Sequence, residues 1–419
     1  LINIYDEKIS FILFFFPLTM LAQDFNSGGG EYNLYNNDKC LSNLDRIIIS
    51  NEIKENLKLL SDKIILNKNQ SISFIWPLRK DTSLSFNNYF GISNFVDQDT
   101  TQASIIDYSC LNRSYDGHKG TDIFTWPFPW YLYNNDYVDV IAAEDGIIIN
   151  KHDGHNDDHC PNTMGGTWNA VYIQHNDGSI AWYGHLKKNS LTSKIIGQSV
   201  SKGELLGKVA SSGNSTGPHL HLEIYDSAWN LIDPFQGSCN NLNSISWWSS
   251  QQNYRQPVLN ALLTHDSKPI HGCPGINEEP NMANDFIIGD TVFFAAYYSD
   301  RELGDSAHYR IISPNNIVWD SWIQLSSSTF NASWYYWQKL LPLNGPFGVW
   351  EFEIEFNSQL YTHKFQYQSP VLIEDKNNIV RKLVRISNIL GKEVSEVSNR
   401  TLFYLYNDGT VEKKLILNK

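Results

Sequence analysis

Apolar and polar residues alternate through much of the middle of this chain, at the two-residue period of half-buried strands. The clearest run is His219-Leu220-His221-Leu222-Glu223-Ile224, which places both histidines and Glu223 on one face and the apolar residues on the other. Short apolar or alternating runs precede it at Val138–Ala142, Gly146–Ile149, Ala170–Gln174, Ile180–Tyr183 and Leu205–Val209. Asp145-Gly146, Asp153-Gly154 and Asn176-Asp177-Gly178 sit between or beside these runs as turn signals. No helix-length pattern separates the runs, so residues 74–236 are expected to form an antiparallel β domain.

A second series of strands is expected at Thr291–Tyr298, His308–Ile312, Ile317–Trp319, Ser333–Leu340, Val349–Phe356 and Tyr361–Tyr367. That density fits an immunoglobulin-like β-sandwich, an accessory domain over 275–368. Residues 237–274 read as a connector, with a short helix at Tyr254–Leu263. Residues 24–73 are polar and mixed, with Gly28-Gly29-Gly30 and an amphipathic stretch around Ile53–Leu66 that reads as a short helix. A propeptide-like role and a packing role both remain open for this segment. The apolar run Ile9–Gln23 is too short to span a bilayer and has signal-peptide length, so 1–22 is expected to be a signal peptide; a buried strand or helix is the other reading. No other stretch approaches a transmembrane span, and none is expected in the mature chain.

Composition narrows the picture. Of 419 residues, 42% are hydrophobic and 13% aromatic, which indicates folded, mainly β structure rather than disorder. A net charge of −13 argues against nucleic-acid binding and against electrostatic adhesion to anionic polymers. The five cysteines show neither CxxC nor zinc-ribbon spacing, so an exported chain would form two disulfides with one cysteine left over. Cys239 and Cys273 flank one connecting segment and are the expected pair.

Candidate chemistry gathers in two short motifs, His118-Lys119-Gly120-Thr121-Asp122 and His219-Leu220-His221. Imidazole and carboxylate are ligands that zinc accepts, and a catalytic zinc keeps three protein ligands and one open position. Gly120 and Thr121 argue against a helix in the first motif, which reads as a turn or strand end. No cysteine lies in either motif, which favours an open site with a bound water over a closed structural one. No HExxH occurs, so a proton acceptor other than the zincin glutamate is required, and histidine has a suitable pKa. Glu223 could accept from an imidazole N–H or be an exposed strand glutamate. The ligand-dense stretch His152–Cys160 reads as a solvated loop rather than a second metal site. Gly213 to Gly217 read as glycines serving unusual backbone angles rather than phosphate binding, since no lysine follows.

These motifs, with Tyr183-Gly184-His185-Leu186 between them and Gly213-Asn214-Ser215-Thr216-Gly217 leading into the second, resemble the lysostaphin/LytM-type zinc metallopeptidases. The resemblance covers about 74–236 and implies an open, groove-forming β-sheet. It implies one Zn2+ per chain held by His118, Asp122 and His221, with His219 and His185 as catalytic histidines. His219 would handle the proton; His185 would hydrogen-bond the water or the developing oxyanion. Asn169 and Tyr183 fall where that family places groove residues. The implied substrate is the peptide crosslink of peptidoglycan; alternatives are extracellular glycine-rich proteins, or a catalytically silent wall-binding protein. Residues 370–419, with runs such as Arg381–Ile386 and a hairpin signal at Asn407-Asp408-Gly409, are similar to the C-terminal β sorting domain of type IX secretion cargo. That implies the type IX secretion machinery as a partner, and a secreted or outer-surface location on a Gram-negative bacterium.

Overall fold

The computed structural model describes residues 27–34, 40–62, 64–67, 71–273, 278–369, 382–395, 400–407 and 409–416. The expected signal peptide at 1–22 lies outside the described residues. The protein is mainly β, and among the described residues its strands pair antiparallel apart from one short parallel pairing, Asp285–Ile287 on Gln359–Gln368. Among the described residues no helix is long and apolar enough to cross a membrane.

The largest sheet runs Phe90–Asn94, Gly120–Thr125, His219–Tyr225, Ile180–Gly184, Ala170–His175, Gly146–His152 and Ser199–Val200, with Leu231–Ile232 paired to the end of His219–Tyr225. The alternation in His219–Tyr225 sorts its two faces as expected. Leu220, Leu222 and Ile224 are fully buried in the main core, beside a small sheet of Leu205–Lys208, Val138–Ile141 and Leu78–Lys80. On the other face lie His221, Glu223 and Tyr225. Across from them in register are Asp122 on one neighbouring strand and Gly184 and Trp182 on the other. Directly opposed residues of an antiparallel pair share a face, so this register brings the two motifs together.

That second face is not open. A helix, Asn43–Leu59, lies on it. Ser42 caps the helix and Asp45 answers with its carboxylate, a reciprocal capping box that starts the helix well before the expected Ile53. Ile49, Ile53 and Leu60 pack in one apolar cluster with Ile149, Trp168, Tyr172, Trp182 and Tyr225 of the sheet side. Burying side chains of this size contributes roughly 1.5–3 kcal/mol each before entropy. Asn56 donates to the carbonyl of Ile149 at 2.9 Å, and Arg46 pairs with Glu223 at 3.0 Å with both side chains buried.

Two further sheets form the sandwich: Ser27–Glu31, Ala332–Leu340, Thr291–Ser299 and Val258–His265 against Asp285–Ile287, Gln359–Gln368, Gly348–Phe356, Ser306–Ile312 and Val318–Leu325. The strand at Val258–His265 replaces the helix expected at Tyr254–Leu263. Its side chains serve two cores: Ala261 and Leu263 pack in the core of the first domain, Leu259 and Leu262 in that of the sandwich. A strand buried on both faces reads as a continuous apolar run and loses its period-two signature. The glycine run is also placed. A Cβ on Gly29 would stand 2.1 Å from the Trp334 carbonyl oxygen, and its φ of +111° suits glycine. Only glycine lets Ser27–Glu31 pair so closely with Ala332–Leu340.

The disulfides are Cys110–Cys239 and Cys160–Cys273, so the expected Cys239–Cys273 pair does not form. Residues 370–419 are a separate compact unit. Their sheet, Leu383–Ser387, Arg400–Tyr406 and Val411–Ile416, is antiparallel and buries Leu402 and Tyr404.

Candidate metal centre

His118 ends the turn before the Gly120–Thr125 strand, and Asp122 lies within that strand. His221 sits directly across from Asp122. His118 Nε2 lies 3.1 Å from Asp122 Oδ2 and 3.3 Å from His221 Nδ1, and His221 Nδ1 lies 2.8 Å from Asp122 Oδ1. Gly120 makes room for this cluster: a Cβ there would stand 2.5 Å from His221 Cε1.

Each ring is oriented from behind. His118 Nδ1 donates to the Phe95 carbonyl at 2.8 Å, which leaves the Nε2 lone pair facing inward. His221 Nε2 donates to Glu223 at 3.0 Å, which leaves its Nδ1 lone pair facing Asp122. Glu223 is fully buried and so is not the exposed strand glutamate of the alternative reading. Asp122 is held by Asn94 Nδ2 at 3.0 Å.

A lone pair and a carboxylate oxygen 2.8 Å apart repel unless positive charge lies between them. Electrostatics agree. Burial would raise Asp122, but His118 and His221 hold it well below the usual carboxylate range. Burial would lower His118, but Asp122 carries it up to about 9. For Glu223, burial is likewise overcome by Arg46 and His221, which keep it ionised. The cluster stabilises a positive charge, whether a proton or a metal ion. Zinc bonds of about 2.0–2.3 Å give tetrahedral donor–donor edges of roughly 3.3–3.8 Å, only a few tenths of an ångström wider than the separations here. The donor set therefore fits a divalent metal.

His219 and His185 border the cluster, their ring centroids 4.4 Å apart. His219 Nδ1 donates to the Gly217 carbonyl at 2.8 Å, and Nε2 lies 3.7 Å from Asp122 Oδ1. Burial and the neighbouring His185 push His219 down to about 4, so it is neutral near pH 7 and can accept a proton. His185 ends the Ile180–Gly184 strand with φ of +64°, a left-handed turn that breaks the face alternation. Its Nδ1 donates to the Ser212 carbonyl at 2.6 Å, and its Nε2 is buried with no hydrogen-bond partner among the described residues. The five motif residues thus converge at one place.

Other expectations change. Tyr183 lines no groove: it is buried in the main core, where its hydroxyl accepts from the Ala143 N–H at 2.9 Å. Asn169 is also fully buried, donating to the carbonyls of His155 and Leu186, and so fixes the backbone after His185. The stretch His152–Cys160 is a solvated loop only in part, with Asp153, Gly154, Asn156 and Asp158 exposed. Asp157 and His159 are buried, and Ser211 bonds the backbone of both, so the stretch supports the segment that carries Ser212. Gly213 takes a φ of +73°, as its glycine suggests, whereas Gly217 has no such angle.

One participant was not anticipated. Cys40 is buried, unpaired and adjacent to the cluster, with Sγ 3.3 Å from His221 Nδ1. Cys40, His118, Asp122 and His221 offer donor atoms within 4.8 Å of one another, which makes a possible metal-binding group. Neither motif contains a cysteine, but the site expected to be open has a fourth possible donor beside it because the thiol comes from outside both motifs. The signals available in sequence were the odd cysteine count and the placement of Cys40 in the 24–73 segment, for which a propeptide-like and a packing role were both open.

Residues 117–234 match a family model described as Peptidase family M23. The M23 segment contains His118, Asp122, His185, His219 and His221, while Cys40 and the Asn43–Leu59 helix precede it. The DD-carboxypeptidase/endopeptidases Mpg of Neisseria meningitidis serogroup B and Neisseria gonorrhoeae are each 42% identical over 84 residues, covering 20% of this chain. The chain spans only 16% of the length of these curated relatives. Among solved structures, the catalytic domain of the prophage-encoded M23 protein EnpA from Enterococcus faecalis is similar at 22% identity, covering 35% of this chain and 88% of that one, with a TM-score of 0.23. A putative peptidase M23 from Pseudomonas aeruginosa is similar at 19% identity, covering 44% and 60%, with a TM-score of 0.25. Likeness at such scores is too slight to carry an argument.

Proposed function

We propose that this chain is an exported zinc endopeptidase that hydrolyses peptide crosslinks of peptidoglycan. The observation that carries the reading is the convergence of His118, Asp122 and His221 on one point, with two more imidazoles turned towards it. The M23 match over 117–234 supports peptidase chemistry, and the names of the Neisseria relatives support a wall-peptide substrate. Zinc held there would supply Lewis acidity and lower the pKa of a water it binds. His118 and His221 would serve as neutral ligands because their far nitrogens are committed to Phe95 and Glu223. His219, neutral with its proton fixed on Nδ1, takes a proton at Nε2 and returns it to the leaving amine. A neutral His185 also keeps its proton on Nδ1, so its Nε2 accepts a hydrogen bond from water and helps an oxyanion only after gaining a second proton.

Export is supported by the pair of disulfides, which persist in oxidising compartments. The proposed route is type IX secretion directed by residues 370–419, with the chain released or held outside the outer membrane. The test is digestion of purified wall sacculi and of a soluble glycine-rich protein, with products read by mass spectrometry. Cleavage of stem-peptide crosslinks is expected; cleavage of the protein alone would overturn the substrate assignment. His118→Ala should lose both zinc and activity, and activity retained in that variant would sink the mechanism.

A further inference from the structure

We propose that Cys40 is a fourth metal ligand, and that the chain as it stands is a latent form whose catalytic position is closed by a thiolate from its own N-terminal segment. The proposal rests on the metallopeptidase reading above and goes beyond it. Three donors from the M23 domain leave one position of a tetrahedral zinc for water, and a fourth protein donor makes a closed site. Cys40 Sγ supplies that donor: it lies 3.3 Å from His221 Nδ1, among donor atoms that all fall within 4.8 Å of one another. Thiolate is a ligand that zinc takes readily.

The sulfur is held in place from both sides of the chain. On its N-terminal side, Ser27–Glu31 is hydrogen-bonded into the sandwich sheet beside Ala332–Leu340. On its C-terminal side, the Asn43–Leu59 helix is docked on the sheet face that carries the ligands. Arg46 links the helix to the site itself, because its partner Glu223 is the residue that orients His221. Tyr115, three residues before His118, approaches the sulfur at 2.9 Å through its hydroxyl. The cleft beside His219 is lined in part by Tyr32, Leu34 and Cys40, so the same segment borders the space a substrate would enter.

Opening the site is a ligand exchange. The sulfur leaves the metal and takes up a proton from solvent, and water enters the vacated position; no electrons change hands. Proteolytic removal of the segment, or modification of the thiol, would drive the exchange to completion.

The test uses the full chain with its disulfides intact, loaded with Co2+ or Zn2+. The Co2+ form should show the near-ultraviolet thiolate-to-metal charge-transfer band, and Cys40→Ser should lose the band while still binding metal. Cys40, as the unpaired cysteine, should resist alkylation in the Zn2+ form and become reactive once a chelator removes the metal. Cys40→Ser should also turn over wall peptides about ten-fold faster or more, as freeing a site whose competent state is a minor population does. Metal bound by the wild-type chain without a thiolate band, or alkylation equally fast with and without metal, would overturn the latch and leave the metallopeptidase reading standing. Failure of both wild type and Cys40→Ser to bind metal would instead remove the metal reading and the latch with it. The alkylation comparison needs only wild-type protein, so it decides the matter even if the variant folds poorly.

Discussion

Glu223 takes two partners at once, His221 on the side of the candidate metal cluster and Arg46 from the docked helix, with Tyr225 donating its hydroxyl as well. A carboxylate that orients a metal-ligating imidazole typically contributes 10–100-fold in metal affinity. Glu223→Gln should therefore weaken zinc binding by roughly that factor, as read by chelator competition. It should also leave the buried Arg46 guanidinium without its counter-charge, a loss of about 3–5 kcal/mol in thermal or denaturant unfolding. Unchanged zinc affinity in this variant would show that His221 is oriented by something else. The sequence carried half of this picture. The alternation in His219–Tyr225 placed Glu223 on the histidine face, but it gave no sign of Arg46, which sits 177 residues away.

At the scale of elements, the Asn43–Leu59 helix is held by few large side chains, and Ile53 is the one with no exposure at all. Ile53→Ala should remove about 2–5 kcal/mol of packing. The loss should appear as faster hydrogen exchange across 43–59, with the His219–Tyr225 amides still protected. Uniform loosening of both elements would mean that helix and sheet unfold as one unit. Strands with one wet or polar face were the readable elements. The His219–Tyr225 strand and most sandwich strands kept their period and lie within a few residues of expectation, while Val318–Leu325 runs six residues past the end expected at Trp319. Val258–His265 was not readable, because apolar residues face a core on each side and the run looks like a helix segment. Cysteine pairing was equally hidden, since neither disulfide joins neighbours in sequence: the separations are 129 and 113 residues.

For the molecule as a whole, the first domain and the sandwich share the sheet that contains Val258–His265, and two histidines, buried His265 and half-buried His271, sit near that junction. His265 donates Nδ1 to the Pro280 carbonyl and accepts from Tyr297, so it is satisfied only when neutral. His271 is packed among Trp126, Phe128 and Trp334, and neither ring nitrogen has a partner among the described residues. Burial, with His265 nearby, pushes His271 from 6.5 down to about 3. The unfolded chain then binds protons that the folded chain refuses, so stability falls as pH drops from 6.5 towards 3. For one such group the loss by about pH 5 is roughly 2 kcal/mol. Glu278, which burial raises to about 8, tilts the other way, costing stability as pH rises from 4.5. His271→Phe should thus raise the melting temperature more at about pH 5 than at neutral pH. An equal rise at both would show that packing, not titration, governs this position.

The pairing of Ser27–Glu31 with Ala332–Leu340 has a consequence for any trimmed form of the protein. Those few residues are the outermost strand of their sheet, and the strand beneath them carries Trp334, Tyr335, Tyr336 and Trp337 in succession. Cutting them away would bare a row of unpaired backbone donors and acceptors flanked by four large rings, a ready template for another extended chain. Removal of the N-terminal segment, the step proposed to open the site, would therefore also leave the molecule adhesive along this sheet edge.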